Sequence, residues 1–160
     1  MPLANIRAEY AAQLAAINGI GAVHDCPRFA ADWATFLNLF KDPNKERILG
    51  WEISLESAPG DSFYIAGASP NAIADVRWSA VIRGYMAFND GKDDPALRTQ
   101  PIFDNLLEAI LAKFRPLQDL NGKAMRCEPM VLAENIHGPL GGVECHYAEL
   151  RQIVWERVTY

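Results

Sequence analysis

A chain of 160 residues, half of them apolar and 22% charged, has the side chains for one globular domain with a sizeable core and lacks the composition of a disordered segment. Its formal net charge of −5, with no run of Lys or Arg, weighs against a surface built to neutralise nucleic-acid phosphates. No apolar run approaches the roughly 20 residues that span a bilayer, and the opening MPLANIRAEYAAQLAAING lacks the basic-then-apolar layout of a signal peptide.

Ile6, Tyr10, Leu14 and Ile17 recur at three- and four-residue spacing, which predicts a first helix that stops at Asn18-Gly19. GIGAVHD follows as a short turn-and-strand signal. In PRFAADWATFLNLFKDPN, the side chains of Phe29, Trp33, Phe36, Leu37 and Phe40 line one helical stripe, ended by Asp42-Pro43-Asn44. Such a stripe reads as a core-facing helix; its density of aromatics also suits a helix that docks a partner.

GWEISLES (50–57) alternates, with Trp51, Ile53 and Leu55 on one side and Glu52, Ser54 and Glu56 on the other, the pattern of a half-exposed strand. Residues 57–75 are rich in Gly, Pro, Ser and Ala and read as a long excursion. VRWSAVIRGYMAF (76–88) is a second strand. It places Val76, Trp78, Ala80, Ile82, Met86 and Phe88 on one face, and Arg77, Ser79, Arg83 and Tyr85 on the other. NDGKDDPALRT is a polar loop. In QPIFDNLLEAILAKF, Ile102, Phe103, Leu106, Leu107, Ile110, Leu111 and Phe114 form a broad apolar face, with Thr99 as N-cap and Arg115-Pro116 as the stop.

Residues 117–142 hold an Asn-Gly turn and a strand around Met125–Ile136, whose first half Pro129 confines to a sheet edge or bulge. In the segment 143–158, Tyr147, Leu150, Val154 and Val158 would stripe a helix. The Pro-Leu-Gly-Gly turn before it and its Ile-Val-Trp cluster favour a strand. The expected fold is α+β, one domain over residues 1–160: a mostly antiparallel sheet of about four strands with helices packed on one face.

Chemistry-bearing residues are sparse. Cys26, Cys127 and Cys145 are odd in number and form no CxxC, so reduced thiols are expected in place of a disulfide framework. Cys145 and His146 are adjacent and on a strand would face opposite ways, which prevents them from serving each other as nucleophile and base. A zinc site would need close ligand pairs that the chain lacks, and buried cysteines acting as small hydrophobes are the expected alternative. Gly19-x-Gly21 follows a helix and not a strand, and GPLGG has no Lys-Ser/Thr, so phosphate-binding signatures are absent. Glu52, Glu56 and the Asp93-Asp94 pair read as solvated acids. What stands out is a distribution: Arg77, Arg83 and Tyr85 on the face away from the core, and long polar loops at 57–75 and 89–98. These suit a subunit that buries faces and loops against other copies or other proteins, and equally an exposed sheet face with solvated arginines.

NIRAEYAAQLAAINGIGAVHD, DWATFLNLFK, RILGWEI, RWSAVIRGYMAF, PIFDNLLEAILAKF and GPLGGVECHYAELRQIVWE occur in an order that resembles phage and prophage tail-completion proteins. The group is the tail terminators (minor tail protein U-like) of long-tailed bacteriophages. The resemblance is one of layout over nearly the whole chain, carried by aromatic and glycine landmarks. It implies a structural virion protein, assembled in the bacterial host, that forms a homo-hexameric ring on the tail tube. The ring ends tube polymerisation and presents the head-joining surface. The implied partners are further copies of the chain, the tail-tube protein and a head–tail connector, with no membrane, no direct nucleic-acid contact, and no cofactor, metal or catalytic residues. Arg77, Arg83 and Tyr85 on the sheet, with Asp61, Phe63 and Tyr64 in the excursion, become the candidate interface residues. The alternatives are another connector component, such as a stopper or adaptor, or a small cytosolic enzyme using Cys145 or a Cys/His metal site.

Overall fold

The computed structural model describes residues 3–43, 47–57, 63–66, 73–88, 98–140 and 142–159. In chain order these form α1 (Leu3–Ala15), β1 (Ala22–His24), α2 (Trp33–Leu39), β2 (Leu49–Ser57), β3 (Phe63–Ala66), β4 (Ile73–Ala87), α3 (Thr99–Phe114), β5 (Arg126–Cys127), β6 (Val131–Leu140) and β7 (Val143–Thr159). Two long strands organise them. β4 and β7 pair antiparallel without a break from Ile73 opposite Thr159 to Ala87 opposite Cys145, a ribbon of about 50 Å at ~3.4 Å per residue. β2 flanks β4, β1 lies parallel outside β2, and β5 and β6 pair with the far side of β7.

The α+β class is as expected, but the sheet is larger and mixed, with seven strands among the described residues. β3 lies inside what the composition marks as loop: a Gly- and Ser-rich context hides four residues whose pairing to β4 comes from the neighbouring strand. Pro129 divides the strand expected around 125–136 into β5 and β6, both at the sheet edge. The last segment is a strand, and its unbroken register with β4 shows no bulge there.

One sheet face carries the core. Ile6, Tyr10 and Leu14 of α1 and Phe103, Leu107, Ile110 and Phe114 of α3 pack on Trp51, Ile53, Ala80, Ile82, Met86, Ala148, Leu150 and Val154. These strand positions share one parity, as a pleated sheet requires. Trp51 lies flat across β4 at Gly84: a Cβ there would stand 2.2 Å from the ring. The indole also donates to the Ile20 carbonyl at 2.9 Å and stacks on Phe103 with centroids 5.8 Å apart. Tyr10 is tied across the chain, donating to Gln152 Oε1 at 2.6 Å. The core residues of β4, Ala80, Ile82 and Met86, lie in its second half; in its first half Val76 and Trp78, expected in the core, are half-buried, and Trp78 Nε1 donates to Glu156.

The helices do not share a single face. α2 and the segment leading into it cover the opposite, outer face of β1 and β2. Phe40, fully buried, sits over Gly50, where a Cβ would meet its ring at 2.8 Å, and edges onto Tyr85 with centroids 5.0 Å apart. β2 is therefore buried on both faces through Ser54 and is not half-exposed. A second local correction concerns Thr99. It is the first residue of α3 and not its cap; its buried hydroxyl lies 2.9 Å from His146 Nε2.

Candidate interaction surfaces

The outer face of the sheet is polar because alternate residues of β2, β4 and β7 are. Register sets Arg83 between Glu52 and Glu149, and its guanidinium makes three hydrogen bonds. Nε donates to Glu149 at 3.1 Å, Nη2 to Glu56 at 2.8 Å and Nη1 to Ser54 at 3.2 Å. Arg151 clasps the other oxygen of Glu149 at 2.6 Å. Burial opposes the charge on Arg83, but the Glu56 and Glu149 carboxylates outweigh it and raise its pKa above the ordinary value. Hydrogen bonding from Arg83 lowers the pKa of Glu56. Burial also resists ionisation of Glu149, yet Arg151 and Arg83 bring its pKa below the usual 4.5.

Glu52, expected in solvent, is buried and accepts from the Arg28 amide at 3.0 Å and from the Tyr85 hydroxyl at 3.2 Å. Burial, followed by the charge of Glu52, pushes the Tyr85 phenol well above its ordinary pKa. Glu56 remains partly solvated. Further along the ribbon, Arg77, Trp155 and Arg126 fall in one cross-strand row. The two guanidinium carbons lie 5.0 and 4.8 Å from the indole centroid, and Glu128 stands 3.7 Å from Arg77.

The six candidate interface residues thus separate. Arg83 and Tyr85 come together in one network, satisfied inside the chain, and Arg77 belongs to the Trp155 row. Phe63 and Tyr64 lie on β3, with backbone opposite Asp75 and Ala74. Asp61, the loop at 89–97 and most of the 57–75 excursion fall outside the described residues.

Two apolar surfaces stand open instead. Phe29 is 89% exposed and Trp33 55% exposed. With Phe36 they line a surface pocket of about 270 Å³ at the start of α2. The helix begins only at Trp33, where Asp32 caps it through the Thr35 amide, so the aromatic stripe is split. Phe40 anchors the segment in the structure, while Phe29 and Trp33 point away from any core. The second surface is β6, where Val131, Leu132 and Ile136 are exposed on an edge strand that pairs, among the described residues, with β7 alone. Sequence reasoning missed this one. The available signal was the run of Val, Leu, Ala and Ile with no clean alternation, after a proline that confines the strand to an edge.

Cys145 and His146 face opposite sides of β7. His146 is buried on the helix side, stacked on Phe88 with centroids 3.9 Å apart and on Phe103 at 5.4 Å. Cys145 is buried opposite Ala87 and Gly138, and burial pushes its thiol up to about 11. Cys127 is likewise pushed up to about 12 by burial. Among the described residues no three of His, Cys, Asp and Glu gather closely enough to hold a metal ion. No described helix is long and apolar enough to cross a membrane. No family model matches the chain, and no curated protein matches it.

Proposed function

We propose that this chain is a virion assembly subunit of the tail-terminator kind, forming a ring that caps the tail tube, stops its growth and offers the head-joining surface. The observation that carries the reading is the open display of large apolar side chains at two separate places, Phe29 with Trp33 and Val131 with Ile136. A domain with a closed core elsewhere keeps such side chains exposed at a cost in solubility, and protein contact is what covers them. The sequence layout supplies the kind of assembly. A Cys/His enzyme is disfavoured on physical grounds, since Cys145 has no imidazole on its own face of β7 and its burial suppresses the thiolate.

Negative-stain imaging of cognate tail-tube subunits polymerising with and without the protein tests the reading. Capped tubes of restricted length are expected. Tubes of unchanged length with bare ends would refute it.

A further inference from the structure

A cavity that the assembly reading does not use lies between the end of α3, the β5–β6 edge and β7. It measures about 390 Å³, within the range of small-molecule sites. Leu111 and Phe114 of α3, Leu117 after it and Met130 before β6 form its apolar wall. Leu111, Leu117 and Met130 are only half-buried, so this wall keeps surface that a ligand would take out of water. The sheet contributes Gln152, 3% exposed and on the helix side of β7, opposite Ala80. Its amide is tied at both ends: Oε1 accepts from Tyr10 at 2.6 Å, and Nε2 donates to the Glu128 carbonyl at 2.7 Å. A side-chain amide has two N–H donors and two oxygen lone pairs. Among the described residues one of each is left without a partner, and the two bonds hold that amide at the cavity wall.

Three charged residues border the cavity: Arg115, Arg126 and Glu128. Two of them are engaged elsewhere. The Arg126 guanidinium lies over Trp155, and Glu128 Oε1 accepts from the Trp155 indole at 3.3 Å and stands 3.7 Å from Arg77. Arg115 is exposed and, among the described residues, has no carboxylate partner. No anion in the lining offsets it. Burial pushes the Cys127 thiol up to about 12 and keeps it neutral, and Asp119 is not part of the lining. The carbonyl end of α3 is a weak opponent, because the Leu111 and Phe114 carbonyls already accept from the Arg115 and Leu117 amides.

We propose that this cavity binds a small organic acid, its carboxylate on the Arg115 guanidinium, its apolar body along Leu111, Phe114 and Met130, and an amide group paired to the spare donor and acceptor of Gln152. An N-acylated apolar amino acid has those three parts. A single guanidinium suits a single carboxylate, whose two oxygens it holds side by side. An uncharged molecule leaves Arg115 unused, and a basic one is repelled by it. The site is separate from the pocket of Phe29 and Trp33 and does not depend on the assembly reading.

Titration of the full chain with N-acetyl-L-phenylalanine and with N-acetyl-L-leucine tests it, followed by nitrogen–proton NMR. A saturable shift of the Gln152 side-chain amide signals is expected, with the Leu111 and Leu117 backbone amides moving alongside. N-acetyl-L-phenylalaninamide lacks the carboxylate and is expected to bind about tenfold or more weakly, as loss of a charge-assisted bond does. Phenylpropionate lacks the amide and is expected to bind about threefold or more weakly. Because Arg115 is exposed, Arg115→Gln keeps the fold. It is expected to weaken N-acetyl-L-phenylalanine about tenfold or more and to leave the phenylalaninamide unchanged. No saturable shift at Gln152 from either acid overturns the proposal. So does equal binding of acid and carboxamide, equal binding of phenylpropionate, or equal loss of acid and carboxamide in Arg115→Gln.

Discussion

Replacing Gly84 by alanine isolates the packing of Trp51 on the central strand. The added methyl would lie 2.2, 2.5 and 2.7 Å from three carbons of the indole ring, which is fully buried and has no room to swing outward. Overpacking of this kind costs about 1–3 kcal/mol. Tilting the indole also weakens its bond to the Ile20 carbonyl, for about 0.5–1.5 kcal/mol more. Against this, removing a glycine restricts the unfolded chain and returns about 0.4–1 kcal/mol. The net expectation is a loss of about 0.5–4 kcal/mol. For a domain of this size that is a fall in Tm of ~1–16 °C. Urea unfolding followed by tryptophan fluorescence and by circular dichroism measures it. Gly138→Ala is the internal control, because a Cβ there meets nothing within 4 Å, and it is expected to be neutral or slightly stabilising. A Gly84→Ala protein as stable as the Gly138→Ala one would refute the account of Trp51.

Two further outcomes are expected. Glu56 and Glu149 both titrate below their usual 4.5. Their contribution is therefore complete above that value and is lost as pH falls through their lowered folded pKa values. Glu149→Gln should flatten the acid limb of the urea midpoint measured against pH, and an unchanged limb would show that the Arg83 network does not supply it. In the native protein, Ellman's reagent at pH 8 should modify Cys26 first and reach Cys127 and Cys145 only on unfolding. With the Cys145 thiol at about 11, its thiolate fraction is of the order of one in a thousand. Three thiols reacting at one rate would contradict the burial.

How far the sequence could be read depended on what each element packs against. α1 and α3 were legible because one helix face does all their burying, and Ile6, Tyr10 and Leu14 fell where their spacing placed them. The last strand was legible from β-branched and aromatic residues after a glycine turn. The double burial of β2 was not. Glu52 and Ser54 alternate like solvent-facing residues, and only the return of residues 28–40 over them takes them out of water. α2 misled for a related reason: its aromatics keep helical spacing, yet Phe29 precedes the helix and Phe40 follows it, each serving a different purpose. Sequence spacing sets Arg83 on the face away from the core but is silent on its partners, which lie 27 and 66 residues away. Composition carries no record of register. The β6 edge was passed over because exposure of a strand on both faces is a fact about its neighbours.

The position of β7 has a consequence for synthesis. Among the described elements it comes last in chain order, yet it is an interior strand, with β4 on one side and β5 and β6 on the other. Until residues 143–159 leave the ribosome, one whole edge of β4 is bare and β5 and β6 have no strand to join. Tyr10, near the start of the chain, waits for Gln152 to reach it across 142 positions. Such long-range closure slows folding and leaves pairing edges open to neighbours meanwhile. Nascent chains of this protein, gathered on one messenger, would thus hold their most adhesive strands ready before their own partner strand exists.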